Sequence, residues 1–246
     1  MITKNEADRL SVTLKAVKSI ADELIVVDSG STDNTVEIAI SHSAKVFQNA
    51  WNGYGLQKRF AEDQCSHGWL LNIDADEVIT PELAQEIKQT LENPGKDGYR
   101  IKIVDVMPYE KTPHWSAYSY NQLRLYRKDK GRFSDHAVHD SVIMQPNISL
   151  GNLKHIVMHK SLRSLEHAVE KMNYYTTMQV HELANEKKRF PKIRMAFEFI
   201  GSFIKAYFFR RLVFRGFNGY IMAINYAMSR HLRIAKWYEH TLKEKS

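Results

Sequence analysis

The sequence predicts an α/β fold of the doubly wound class, with a mostly parallel central sheet and a helical extension at its C-terminal end. Short apolar runs alternate with segments of helical periodicity through the first hundred residues, the pattern of strands covered by helices. One of those runs, Trp69-Leu-Leu-Asn-Ile73, ends abruptly in the carboxylates of Asp74, Asp76 and Glu77. Open α/β sheets bind ligands at that end of a strand. From Lys187 onward the chain changes character and becomes basic and aromatic.

Residues 6–21 place Leu10, Leu14, Val17 and Ala21 at helical spacing, and Glu23-Leu-Ile-Val-Val-Asp28 reads as a buried strand. The polar turn Ser29–Thr35, a short helix to Ser41, a strand over Ala44–Gln48 and a helix over Leu56–Gln64 follow. Pro81 opens a helix that runs to Glu92. Further strands are expected over Gly98–Val106, Gln122–Arg127 and Ser141–Met144, and a long helix over Ser164–Lys188. Two readings stand for Pro108–Tyr120, which carries Tyr109, Trp115, Tyr118 and Tyr120: an acceptor-lining surface, since sugar faces pack on aromatic rings, or an aromatic satellite core. Residues 1–160 are expected to form one domain and 161–246 a helical, basic amphipathic extension.

The length of 246 residues and a hydrophobic content of 43% suit a globular chain with a substantial core. A single cysteine, Cys65, leaves no internal disulfide framework and points to a reducing compartment. The start, Met1-Ile-Thr-Lys-Asn-Glu6, lacks the apolar stretch of a signal peptide, so a cytoplasmic location is expected. The net charge of +7 is uneven: fourteen Lys and Arg against three Glu lie from Lys187 onward, which leaves −4 for the rest. Eight of the eleven Phe fall between Phe190 and Phe217. That aromatic content beside positive charge fits an anionic membrane surface rather than nucleic acid. Charges interrupt every apolar run, so this region is expected to lie on the cytosolic face of an inner membrane and not to cross it. An amphipathic helix packed on the protein's own core is the other reading.

Asp74 and Asp76 lie two apart, so a regular strand would point both the same way. Carboxylates this close repel unless a cation neutralises them, and hard oxygen ligands suit Mg²⁺ or Mn²⁺. An acidic cap for the helix at Pro81 is the simpler alternative.

Taken in order, Ile2-Thr-Lys-Asn-Glu6, Ile25–Thr35, Leu70–Glu77 and Val138-His-Asp140 resemble the family 2 glycosyltransferases, inverting enzymes with nucleotide-sugar donors and a GT-A (Rossmann-like) domain. Within the family they look most like the lipopolysaccharide-core branch of the WaaE and LgtF type, which adds glucose to an inner-core heptose. The resemblance implies that Thr3, Glu6 and Asp28 hold uracil and ribose, and that Asp74 and Asp76 hold ribose, a Mg²⁺ or Mn²⁺ ion and the diphosphate of a UDP-sugar. It implies Asp140 as general base, with Asp135 as competitor. Arg124 and Arg127 flank the Leu125-Tyr126 strand and read either as a bidentate clamp on the diphosphate or as solvated strand-face arginines. His139 and His159 also fall at positions resembling those of relatives, His159 either as a ligand or as a structural histidine. Relatives begin with several more strand residues than precede Thr3 here. The acceptor implied is a lipid-linked saccharide. Transfer to a polyprenyl phosphate, a capsule or a protein glycan, and a non-catalytic GT-A binding protein, are the alternatives. No nucleic-acid motif is present.

Overall fold

Strand formation is most uniform where the sequence is most apolar. In the computed structural model, which describes residues 1–136, 140–185 and 192–243, β2 (Ile25–Asp28) buries all four of its residues between β1 (Ile2–Thr3) and β3 (Lys45–Gln48). Both pairings are parallel, with Thr3 opposite Asp28 and Asp28 opposite Gln48. A strand without a polar face belongs in a covered parallel sheet. The cover comes from α1 (Leu10–Val17), α2 (Thr35–Ser41) and α3 (Tyr54–Gln64). In α1, Leu10, Thr13, Leu14 and Val17 turn inward at helical spacing.

A second sheet carries β4 (Trp69–Leu71), β5 (Glu77–Ile79), β6 (Gly98–Asp105), β7 (Ser119–Arg127) and β10 (Leu150–His159) in the order β4-β7-β6-β10-β5. Here only β6 and β10 run parallel. Among the described residues no helix separates the strands from β6 to β10, and antiparallel pairs need no crossover helix. β8 (Gly131–Phe133) and β9 (Val142–Met144) form a separate hairpin-like pair. Helix α4 (Pro81–Glu92) matches its expected bounds because its signals are local: Thr80 accepts from the Leu83 N–H at 3.2 Å, Pro81 takes the first turn, and Leu83 and Ile87 enter the core.

One expectation fails in a way that matters. β4 stops at Leu71, so Asp74 and Asp76 do not share a strand face; they sit in a turn closed by a Glu77 N–H to Asp74 carbonyl bond of 3.0 Å. Each acid therefore meets its own partners.

The chain divides into two compact units, Met1–Asp105 with Ser119–Ser161, and Val106–Tyr118 with Leu162–Ser246. In the second, α5 (Leu165–Asn185) and α6 (Lys192–Ile204) both pack on α7 (Gly216–Lys243). A π-helical turn, Lys205–Phe209, and a 3₁₀ turn, Leu212–Arg215, join α6 to α7. The aromatic segment 106–118 belongs to this unit: Trp115 lies 5.2 Å from the Phe214 ring and Glu110 pairs with Arg215.

Candidate active site

Three elements of the first unit bring charge together around one ammonium. Lys58 on α3 is buried, and its Nζ lies 3.0 Å from Asp74 and 2.8 Å from Asp140. Burial works to lower the Lys58 pKa, but the attraction of Asp74 and Asp140 outweighs it and the pKa is raised. Arg124 on β7 completes the arrangement from below. Its guanidinium donates to Asn72 at 2.8 Å, to Asp74 at 3.1 Å and to Glu77. Burial opposes the charge on Asp74 as well, yet Lys58 and Arg124 together hold that carboxyl far below its usual range. Glu77 is almost fully enclosed, and burial lifts it to about 7 against the pull of Arg124.

Arg124 is buried, and its terminal nitrogens are turned to Asn72, Asp74 and Glu77, so it braces the acidic turn. The two oxygens of Asp74 face Lys58 and Arg124.

Asp76 is held differently. Its Oδ2 lies 3.4 Å from His159 Nε2 and 3.8 Å from Arg9. His159 Nδ1 sits 2.8 Å from Asp105. Burial would lower the His159 pKa, but hydrogen bonds to Asp105 and Asp76 carry it up to about 10. Among the described residues no group of three or more His, Cys, Asp or Glu is arranged to hold a metal alone. Mg²⁺ and Mn²⁺ seldom need one, since they commonly take one or two carboxylates and complete their shell with phosphate oxygens. Asp76 is the carboxylate that fits a cation; His159, its two ring nitrogens turned to Asp76 and Asp105, orients it.

At the ends of β1 and β2, the Thr3 hydroxyl donates to Asp28 at 3.3 Å. Asp28 also accepts from the backbone N–H groups of Gly30 at 2.9 Å and Ser31 at 2.8 Å, a turn that Gly30 closes at φ 87°. Burial would raise the Asp28 pKa; the bonds from Ser31 and Gly30 outweigh it and lower it. The Glu6 carboxylate pairs with Arg9, which in turn reaches Asp76 and the Lys160 carbonyl.

Exposure separates the two contenders for general base. The Asp135 side chain is 76% exposed and pairs with Arg59 at 3.5 Å, whereas Asp140 is 19% exposed and meets Lys58. His139 lies outside the described residues. The segment leading to Asp140 is seated against α3 at Gly55, whose N–H donates to the His136 carbonyl at 3.2 Å. A Cβ there would stand 2.2 Å from the Ser134 carbonyl oxygen, so glycine is what permits the approach.

Sequence reasoning missed Lys58, Arg9 and Gln57. Gln57 is buried and ties Ser29 at 2.9 Å to Asn49 at 2.8 Å, fixing the turn after β2. Gly53-Tyr-Gly-Leu-Gln-Lys58, a glycine-bounded helix start carrying adjacent polar residues on a covering helix, was the available signal.

Residues 1–145 match the family described as Glycosyl transferase family 2, so the chain belongs to that family and is a glycosyltransferase with a GT-A-like α/β fold. An uncharacterized glycosyltransferase of Rickettsia typhi is 38% identical over 256 residues, covering 100% of this chain and 88% of that protein. The lipopolysaccharide core biosynthesis glycosyltransferase LpsC of Rhizobium meliloti is 29% identical, covering 99% of this chain and 92% of its own length. Among solved structures, S. aureus TarS 1–349 in complex with UDP-GlcNAc aligns with a TM-score of 0.49 at 17% identity, over 96% of this chain and 82% of that one.

Proposed function

We propose that this chain is a metal-dependent, inverting hexosyltransferase that moves glucose from UDP-glucose onto a lipid-linked saccharide, the heptose of a lipopolysaccharide inner core. The observation that carries the reading is the meeting of Asp140 and Asp74 on one buried ammonium, that of Lys58. One carboxylate belongs to the turn that faces the donor; the other is the base. The likeness to LpsC supports the choice of acceptor.

Inversion in one step requires the acceptor hydroxyl to attack the anomeric carbon opposite the nucleotide and to lose its proton as the new bond forms. Asp140 takes that proton. Lys58, 2.8 Å away, holds the Asp140 carboxylate in place before the acceptor arrives. Asp76, oriented by His159, would hold a divalent cation, which would supply charge neutralisation to the departing diphosphate. Thr3 and Asp28, adjacent across β1 and β2, form the nucleoside end of the site. Arg124 acts through Asp74 and Glu77 as a positioning residue.

The test is transfer from a panel of nucleotide sugars with Mn²⁺ to a heptose-bearing lipid acceptor, the product linkage read by NMR. A β-linked glucose from UDP-glucose is expected. Retention of the donor's anomeric configuration, or no melting-temperature rise with any nucleotide sugar and Mn²⁺, refutes the reading.

A further inference from the structure

Helix α6 presents an apolar stripe that the described residues leave uncovered. Ile193, Phe197, Ile200 and Ile204 recur at the spacing of one helical face, an arc of about 60° at 100° per residue, and all four are exposed, Ile193 to 82%, Phe197 to 68% and Ile200 to 61%. The side toward α7 is mixed: Phe199 meets the His231 ring at 6.4 Å and Phe203 the Tyr220 ring at 5.9 Å, beside a charged cluster. Glu198 is only 8% exposed, accepts from Arg194 at 3.0 Å and from Arg230 of α7 at 3.0 Å, and Ser202 is buried beside it. A water-facing helix hides its apolar stripe; α6 buries Glu198 and presents the stripe.

The exposed apolar character continues past the helix into Phe208 and Phe209 of the π-helical turn. Charge in the same unit is one-sided, since residues 192–243 hold ten Lys and Arg against two Glu, a formal surplus of eight. No helix among the described residues is long and apolar enough to cross a membrane. Apolar patches of this kind on soluble proteins mark interaction surfaces, and the partner chemistry must satisfy both the aliphatic and aromatic stripe and the cationic surplus.

We propose that the Ile193–Phe209 face is a docking surface for an anionic lipid bilayer, the stripe entering the acyl boundary while the surrounding Lys and Arg meet the headgroups. This holds whichever sugar the donor site transfers. It also accounts for the polar anchoring of α6: the Arg194–Glu198–Arg230 triad fixes the helix's rotation about its own axis, so that the apolar side faces out.

Co-sedimentation of the full chain with vesicles tests this, using phosphatidylcholine mixed with phosphatidylglycerol against phosphatidylcholine alone. Strong preference for the anionic vesicles, weakened by added salt, is expected. The triple variant Ile193→Ser/Phe197→Ser/Ile200→Ser should lower the partition coefficient roughly a hundredfold, with melting temperature and transfer to a soluble acceptor unchanged, because those side chains leave no core. Lys205→Gln/Arg211→Gln should reduce only the anionic preference. Vesicle binding that the triple variant leaves intact overturns the proposal. So does a dimer in light scattering that the triple variant abolishes while vesicles bind neither form, since a second copy would then be what covers the stripe.

Discussion

Replacing Lys58 with Met removes the cation that Asp74 and Asp140 share while nearly preserving side-chain volume. Losing one member of a buried ion pair costs about 3–5 kcal/mol when the remaining charge is sealed from water. Here the carboxylates left behind keep 29% and 19% side-chain exposure and Asp74 retains Arg124, so the cost falls to about 2–3 kcal/mol. For a chain of this size that is a drop in Tm of about 4–12 °C. The effect on catalysis is larger than the effect on folding, because Asp140 loses the partner that aims it: kcat should fall by about two orders of magnitude, with donor Kd changing much less. A double-mutant cycle with Asp140→Asn isolates the pair. Residues in contact couple by about 0.5–3 kcal/mol, so once the base is gone the Lys58 substitution should cost little further activity. Full additivity in kcat, or a Lys58→Met enzyme with wild-type Tm and turnover, would refute the shared-cation reasoning.

Asp140→Asn by itself should lower kcat by roughly two to four orders of magnitude with donor affinity intact; isothermal titration with the nucleotide sugar separates the two quantities. Gly55→Ala forces a methyl toward the Ser134 carbonyl at 2.2 Å and the His136 carbonyl at 2.7 Å, which should cost about 1–3 kcal/mol and lower kcat by displacing the segment that carries Asp140; an unchanged melting curve argues against that seating. Glu23 is held down at about 2 by Lys45, 2.7 Å away, and by the Ser66 N–H. Its folded-state pKa is depressed, so its stabilisation is complete above its ordinary value of about 4.5 and is lost as pH falls toward 2. The stability gap between wild type and Glu23→Gln, followed by denaturant unfolding, should close across that window; a gap that stays constant with pH removes the ion pair as its cause.

Local chemistry explains what could be read without a structure. Thr80, Pro81 and the Leu83/Ile87 spacing determine α4 within a dozen residues, and the unbroken apolar run into Asp28 determines a buried parallel strand. The order of the motifs determined the family, and the clustered acids at 74–77 determined where its charged centre lies. The failures share a physical origin. Helical periodicity told that α3 exists but not that Lys58, rather than the neighbouring Arg59, turns into the interior. Composition told that the tail is amphipathic and basic but not which face of α6 the fold would cover.

By itself, then, the sequence determined the elements whose causes lie within a few neighbouring residues: caps, apolar periods, glycine turns and the acidic cluster. Only the tertiary structure decided which cations neutralise that cluster. Lys58, Arg9 and His159 come from α3, from beside α1 and from the end of β10, and they meet Asp74, Asp76 and Asp140 across separations that no local pattern encodes. Electrostatic partnership depends on distance in space and on shared burial, and both are set by how the sheets and helices pack.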